Sequence, residues 1–149
     1  MTLAEITVRI EGDPFEMAEE VARLRMLRPV GAIVTFTGIC RDEGGRLTAL
    51  ELEHYPGMTE AEIQRIAAEA AERWALAGVT IVHRVGKIAV GDDIVLVAVA
   101  SAHRSAALEA ASYIMDFLKT RAPFWKKEYP GGEWVAHRHS DDEAAKRWK

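Results

Sequence analysis

Two hydrophobic periods share this chain. Leu3, Ile6, Val8 and Ile10 alternate loosely, predicting an opening strand, and Pro14 sits where a first helical turn tolerates proline, predicting a helix to about Leu27. From Gly31 to Arg41 the residues are β-branched and mostly apolar, through Ala32-Ile33-Val34-Thr35-Phe36-Thr37, the pattern of a strand inside a sheet. Asp42-Glu43-Gly44-Gly45 has the chemistry of a turn. Leu47 to Tyr55 then returns with Leu50 and Leu52 on one face and Glu51 and Glu53 on the other, so the two segments are expected to pair as a hairpin.

The helical period takes over at Thr59, where Glu62 three residues on completes a capping-box pattern. Ile63, Ile66, Ala67, Ala70, Trp74 and Ala77 recur at helical spacing until Gly78. Val79 to Val85 and Asp93 to Ala102 are β-rich and flank the turn-like Val90-Gly91-Asp92, predicting a second antiparallel pair. A third helix is expected from Arg104, with Ala107, Leu108, Ala111, Met115 and Leu118 as its buried stripe, stopping before Pro123. Trp125 to Tyr129 and Glu133 to His137 form a short expected pair across Pro130-Gly131-Gly132, and a polar helical tail follows from about Asp141. Interspersed helices and hairpins make the class α+β with a mostly antiparallel sheet. Repeats, linkers and low-complexity tracts are missing from the sequence, so residues 1–149 read as a single domain.

Composition narrows the setting. With 149 residues the chain can bury a sizeable core without staples, and its one cysteine, Cys40, can close no bridge within the chain and supply no multi-cysteine metal cage. A reducing, cytoplasmic setting is expected. The longest strongly apolar stretch, Ile94 to Ala100, falls far short of the roughly 20 residues of a membrane span, and the N-terminus lacks a signal-peptide pattern. A net charge of -4 argues against nucleic acid or an anionic membrane as partner. The cations are nonetheless segregated: Arg104, Lys119, Arg121, Lys126 and Lys127 crowd one region, whereas acidic residues dominate Asp13 to Glu20 and Glu60 to Glu72. That distribution suits either a local anion site or solvated surface charge.

Three clusters carry candidate chemistry. In Phe36-Thr37-Gly38-Ile39-Cys40-Arg41 a strand runs out into an arginine that can fork onto a phosphate or carboxylate, or face water; Cys40 needs no role beyond a small apolar filler. Ser101-Ala102-His103-Arg104-Ser105 joins a strand to a helix, where free N–H groups and the helix dipole favour an anion, although Ser101 or His103 can equally be a cap. Lys119 falls one turn after Met115, on the expected buried side of the last turn, where a desolvated lysine can act as acid, base or nucleophile. In the extended segment after it, Lys126 and Glu128 share a face that Lys127 does not. His137 and His139 could share a strand face as metal ligands, but no third ligand of suitable spacing accompanies them. Neither a phosphate-binding nor a dinucleotide glycine motif is present, and there is no nucleophile elbow.

Several of these segments, in order and correctly spaced from about Gly31 to Trp148, resemble the large subunit of molybdopterin synthase. They are Phe36-Thr37-Gly38 with Arg41, Leu52-Glu53-His54-Tyr55-Pro56-Gly57-Met58, His83-Arg84-Val85-Gly86, Ser101-Ala102-His103-Arg104, and above all Lys119-Thr120-Arg121-Ala122-Pro123-Phe124-Trp125-Lys126-Lys127-Glu128. The resemblance implies an α/β-hammerhead type of fold with an additional mostly antiparallel β subdomain. It also implies a homodimer flanked, within a heterotetramer, by two copies of a small ubiquitin-like sulfur carrier ending in a Gly-Gly thiocarboxylate. The implied reaction is transfer of two sulfurs to cyclic pyranopterin monophosphate, a step of molybdenum cofactor biosynthesis, with no cofactor and no metal. A docking scaffold for a ubiquitin-like partner is the alternative.

By the same resemblance, substrate contacts fall on Ile39, Cys40, Arg41, His103, Arg104, Lys119, Lys126, Lys127, Glu128 and Arg138, with Lys119 and Lys126 as the catalytic pair. The chain departs from the family pattern at Cys40, where an aliphatic residue is usual, and in a slightly short turn after Arg41. Helix geometry adds a constraint: fifteen steps at about 1.5 Å place Arg104 and Lys119 roughly 22 Å apart. If both serve one small ligand, they come from different protomers.

Overall fold

The structure, a computed structural model, describes residues 3–135 and 139–148. Along the chain run β1 (Glu5–Glu11), α1 (Met17–Arg25), β2 (Ala32–Ile39), β3 (Ala49–His54), α2 (Met58–Arg73), β4 (Leu76–Arg84), β5 (Gly86–Ala89), β6 (Asp93–Ser101), α3 (Arg104–Arg121), β7 (Phe124–Tyr129), β8 (Glu133–Trp134) and α4 (His139–Lys146). The strands form two four-stranded sheets, ordered β1-β4-β6-β2 and β5-β3-β7-β8. Among the described residues only β1 and β4 pair in parallel and the other pairs are antiparallel, as the α+β reading expects.

Strand β6 is the axis of the first sheet. It pairs with β4 on one edge and β2 on the other, and Val95 to Ser101 are all buried. Alternation sends Val95, Val97 and Val99 into the main core with Ile63, Ile66, Ala110 and Ile114 of α2 and α3. Leu96, Ala98 and Ala100 face the other way, packing with Phe15, Val82 and Leu24 beneath α1. Burial on both faces explains why the segment reads as a continuous apolar run rather than an alternation. A second, smaller core of Cys40, Leu47, Leu50, Leu52 and Ile88 belongs to the second sheet.

Several expectations are corrected. The segments Gly31 to Arg41 and Leu47 to Tyr55 do not form a hairpin: β2 pairs with β6, and β3 pairs with β5 and β7, so the turn after Arg41 carries the chain from one sheet to the other. Capping of α2 moves two residues earlier, to Gly57, whose N–H donates to the Glu60 carboxylate at 2.7 Å. Thr59 is instead buried, accepting from the Tyr55 N–H and donating to the Pro123 carbonyl, both at 3.0 Å. The helix ends at Arg73, before Gly78, which lies within β4 where an added Cβ would meet Leu27 and Leu24 side-chain carbons at 2.5 and 2.9 Å. Strand β5 went unpredicted, and β8 is shorter than its forecast partner segment. His139 begins α4, while Ala136, His137 and Arg138 lie outside the described residues.

The buried stripe of α3 is also rotated from the expected one. Ala107, Ala110, Ile114, Phe117 and Leu118 face the core, whereas Leu108 is exposed. Met115 and Lys119 consequently lie on the flank of the helix, and Lys119 is exposed within the protomer rather than buried.

Gly31 sits where its N–H bonds the Ser101 carbonyl at 2.8 Å and an added Cβ would lie 2.2 Å from the Ala102 carbonyl oxygen. Since that obstacle is backbone, Gly31→Ala is expected to destabilise the chain by about 1–3 kcal/mol, the scale of overpacking. Urea denaturation, read as a lowered midpoint at unchanged slope, checks this.

Candidate active site

The residues of the second sheet's inner face and the end of α3 enclose one cavity of about 420 Å³. Leu50 and Leu52 of β3 and Phe124, Lys126 and Glu128 of β7 form one wall, in the register Leu50 opposite Glu128, Leu52 opposite Lys126 and His54 opposite Phe124. Met115, Leu118, Lys119 and Ala122 form the second, and His83, Ile94 and Val95, from the ends of β4 and β6, the third. Ile39, Arg41 and Glu43 stand at the rim, where the chain leaves β2. The cavity thus combines an apolar lining with two lysines, an arginine and two glutamates, a makeup that can orient a small ligand bearing an anionic group.

How each cation is held differs. Lys126 is half-buried, and Arg41 is exposed with its guanidinium 3.2 Å from the Glu43 carboxylate. Lys119 makes no ion pair or hydrogen bond among the described residues, so its ammonium is available to an occupant. The backbone beneath it is anchored by Arg121, which donates to Glu62 at 2.8 Å and to Glu69 at 2.6 Å, fastening the end of α3 to α2. That arginine, one of the segregated cations, is therefore structural; its hydrogen bond holds the Glu69 carboxyl below its ordinary range. Glu128 receives a hydrogen bond from Arg46 at 3.0 Å.

His83 is a cavity residue to which sequence reasoning gave no role, although it lies in the family-resembling segment His83-Arg84-Val85-Gly86. Its ring stacks on Phe124, centroids 4.0 Å apart, and its Nδ1 lies 2.8 Å from the Arg84 carbonyl. A carbonyl only accepts, so Nδ1 carries the proton and Nε2 is a bare acceptor. Desolvation, aided by the Lys119 and His54 charges, pushes the ring's pKa down to about 4. The imidazole therefore stays neutral in a cavity that also holds three cations and two carboxylates.

The structure brings together Ile39, Arg41, Lys119, Lys126 and Glu128 of the expected contacts. It does not bring the others. Lys127 points to the opposite face of β7, its ammonium 4.4 Å from the centroid of Trp134. Cys40 is buried in the small core beneath Leu47, Leu50 and Leu52; its N–H donates to the Asp92 carbonyl and its carbonyl accepts from Gly91, so the thiol fills space and does not line the cavity. His103 and Arg104 are exposed at the start of α3, the helix end remote from Lys119. Arg138 lies outside the described residues.

With this geometry established, comparison with known proteins decides the family. The MoaE protein family matches residues 10–121. The chain belongs to that family. A molybdopterin synthase catalytic subunit from Mesorhizobium japonicum is 61% identical over 148 residues, covering 96% of this chain and 93% of the relative. A MoaE molybdopterin biosynthesis protein from Burkholderia ambifaria superposes with a TM-score of 0.85 at 49% identity, covering 96% of this chain and 97% of that one. A complex of subunits 1 and 2 of the molybdopterin-converting factor from Helicobacter pylori contains a chain of the same fold, TM-score 0.72 at 18% identity, with 90% of each chain covered. No helix among the described residues is long and apolar enough to cross a membrane.

The depressed His83 pKa has a consequence for stability. The unfolded ring protonates near 6.5 and the folded ring near 4, so the unfolded state takes up the proton first as pH falls. The contribution of a neutral His83 is complete above about pH 6.5, declines as pH falls toward 4, and is fully lost below that. His83→Phe, which keeps the stack on Phe124, is expected to flatten the drop in melting temperature between pH 7 and 4.5; scanning calorimetry of both proteins across that range checks it.

Proposed function

We propose that the chain is the catalytic subunit of a molybdopterin synthase, transferring sulfur from a thiocarboxylated carrier protein to cyclic pyranopterin monophosphate. The observation that carries the reading is the cavity in which Lys119, Lys126 and Arg41 converge over an apolar floor, in a chain 61% identical to a catalytic subunit of that enzyme. A catalytic subunit implies a second subunit, and the Helicobacter pylori structure of the same fold is itself a two-subunit complex. Here the partner is the small ubiquitin-like carrier, whose Gly-Gly thiocarboxylate reaches the cavity past its rim. The lone, buried Cys40 suits a cytoplasmic setting and leaves the sulfur to come from the carrier.

In this mechanism the cations stabilise negative charge as the carrier's sulfur attacks and the cyclic phosphate opens, and Lys119 adds acid-base help. Lys126 supports it from β7, and Arg41 holds the phosphate at the rim. His103 and Arg104 cannot join these residues within one protomer, because the length of α3 separates them by roughly 22 Å. If His103 and Arg104 serve this site, as the resemblance implies, the site is composite, with both supplied by the second copy of a homodimer and Arg138 as a further basic contact.

Product formation from cyclic pyranopterin monophosphate, with and without thiocarboxylated carrier, tests the assignment: a synthase needs both, a docking scaffold forms no product, and a lone phosphate-ester enzyme needs no carrier. Lys119→Ala is expected to lower turnover by roughly 10²- to 10⁴-fold with carrier binding retained; near-normal rates would refute its role. The composite site has its own test. Mixed Lys119→Ala and Arg104→Ala chains should regain activity through hybrid dimers, and a mixture no more active than either variant alone would exclude sharing between protomers.

A further inference from the structure

We infer that His83 is a substrate-recognition residue: its Nε2 accepts a hydrogen bond from an N–H group of whatever fills the cavity. Three observations lead there. The ring lines the cavity, so a ligand can reach it. Its tautomer is fixed from behind, because Nδ1 is committed to the Arg84 carbonyl at 2.8 Å, and the stack on Phe124 fixes the plane of the ring. Finally, Nε2 makes no hydrogen bond with any described residue and is not among the side-chain atoms sealed from solvent without a partner.

An acceptor so placed selects for a donor. Lys119, Lys126 and Arg41 favour anionic groups, and the carboxylates Glu43 and Glu128 are engaged by Arg41 and Arg46, whereas His83 is a neutral acceptor that offers a lone pair to an N–H and nothing to a phosphate. A ligand with an anionic end and an N–H-bearing end is thus held in one orientation. This rests on the proposed function, under which two occupants carry such groups: the ring N–H groups of the pterin and the backbone amides of the carrier's Gly-Gly tail. Both meet the same acceptor, and affinity measurements separate them.

The experiment compares His83→Phe, which keeps the stack without an acceptor, with His83→Gln, whose side-chain oxygen reaches near the place of Nε2. The complete enzyme with its carrier is used throughout. His83→Phe is expected to raise the KM for cyclic pyranopterin monophosphate roughly tenfold to a hundredfold with a smaller change in kcat, and His83→Gln to recover most of the loss. If the donor is the tail amide, the Kd for thiocarboxylated carrier rises instead, again with recovery in His83→Gln. Unchanged KM and Kd in His83→Phe would overturn the inference, as would a loss that His83→Gln does not repair, since that pattern marks a purely structural ring. Melting temperature at pH 7.5 confirms folding, and His83→Leu replaces the Phe variant if that one does not fold. Wild-type-like Lys119→Ala would fault the catalytic assignment, whereas an inactive Lys119→Ala beside an unaffected His83→Phe faults only the role of His83.

Discussion

The burial of β6 on both faces and along both edges is the constraint on which the rest of the molecule depends. A strand flanked by β4 and β2, with valines under α2 and α3 and alanines and a leucine under α1, has no freedom to shift register: a one-residue slip would exchange the two faces and leave each core misfilled. Its two ends inherit that rigidity. The first supplies Ile94 and Val95 to the cavity, and the second delivers the chain into α3.

From there the position of Lys119 follows by steps. Ala107, Ala110, Ile114 and Leu118 seat α3 on the valine face, Arg121 fastens its last turn to Glu62 and Glu69 of α2, and Thr59 ties the start of α2 to the Pro123 carbonyl, where α3 gives way to β7. The wall bearing Lys119 and the wall bearing Lys126 are thus bound to each other through α2. Their separation is set by packing and ion pairs elsewhere, so the site is preorganised before any ligand arrives.

Local physics was legible in the sequence, and long-range pairing was not. The helices announced themselves by period and the β4–β6 pair by its flanking turn, because both signals lie within a short window. The hairpin expected across Asp42 to Gly45 failed because adjacency along the chain is only a tendency, and here the glycines serve a crossing between sheets. Strand β5 has a single buried apolar residue, Ile88, too little to show an alternation. Gly78 looked like a helix stop because the close approach of Leu24 and Leu27 is invisible until the chain is folded. In the site, the shared face of Lys126 and Glu128 followed from strand pleating alone. His83 stood in a family-resembling segment without a role, since one histidine in an apolar strand has the same sequence signature whether it meets solvent, core or ligand.

Cys40 gives the architecture a chemical meaning. Burial raises the pKa of its thiol above the ordinary value, and only about 1% of the residue's surface remains accessible, so the reactive thiolate is both scarce and unreachable. The leucines that cover it are the same ones that floor the cavity. A thiolate exposed beside an activated acyl group would take that group by acyl transfer, expelling the acyl group's own leaving atom. Here the leucine layer withholds the chain's one thiol from the cavity, so that whatever reacts there meets hydrocarbon and not sulfur on that side.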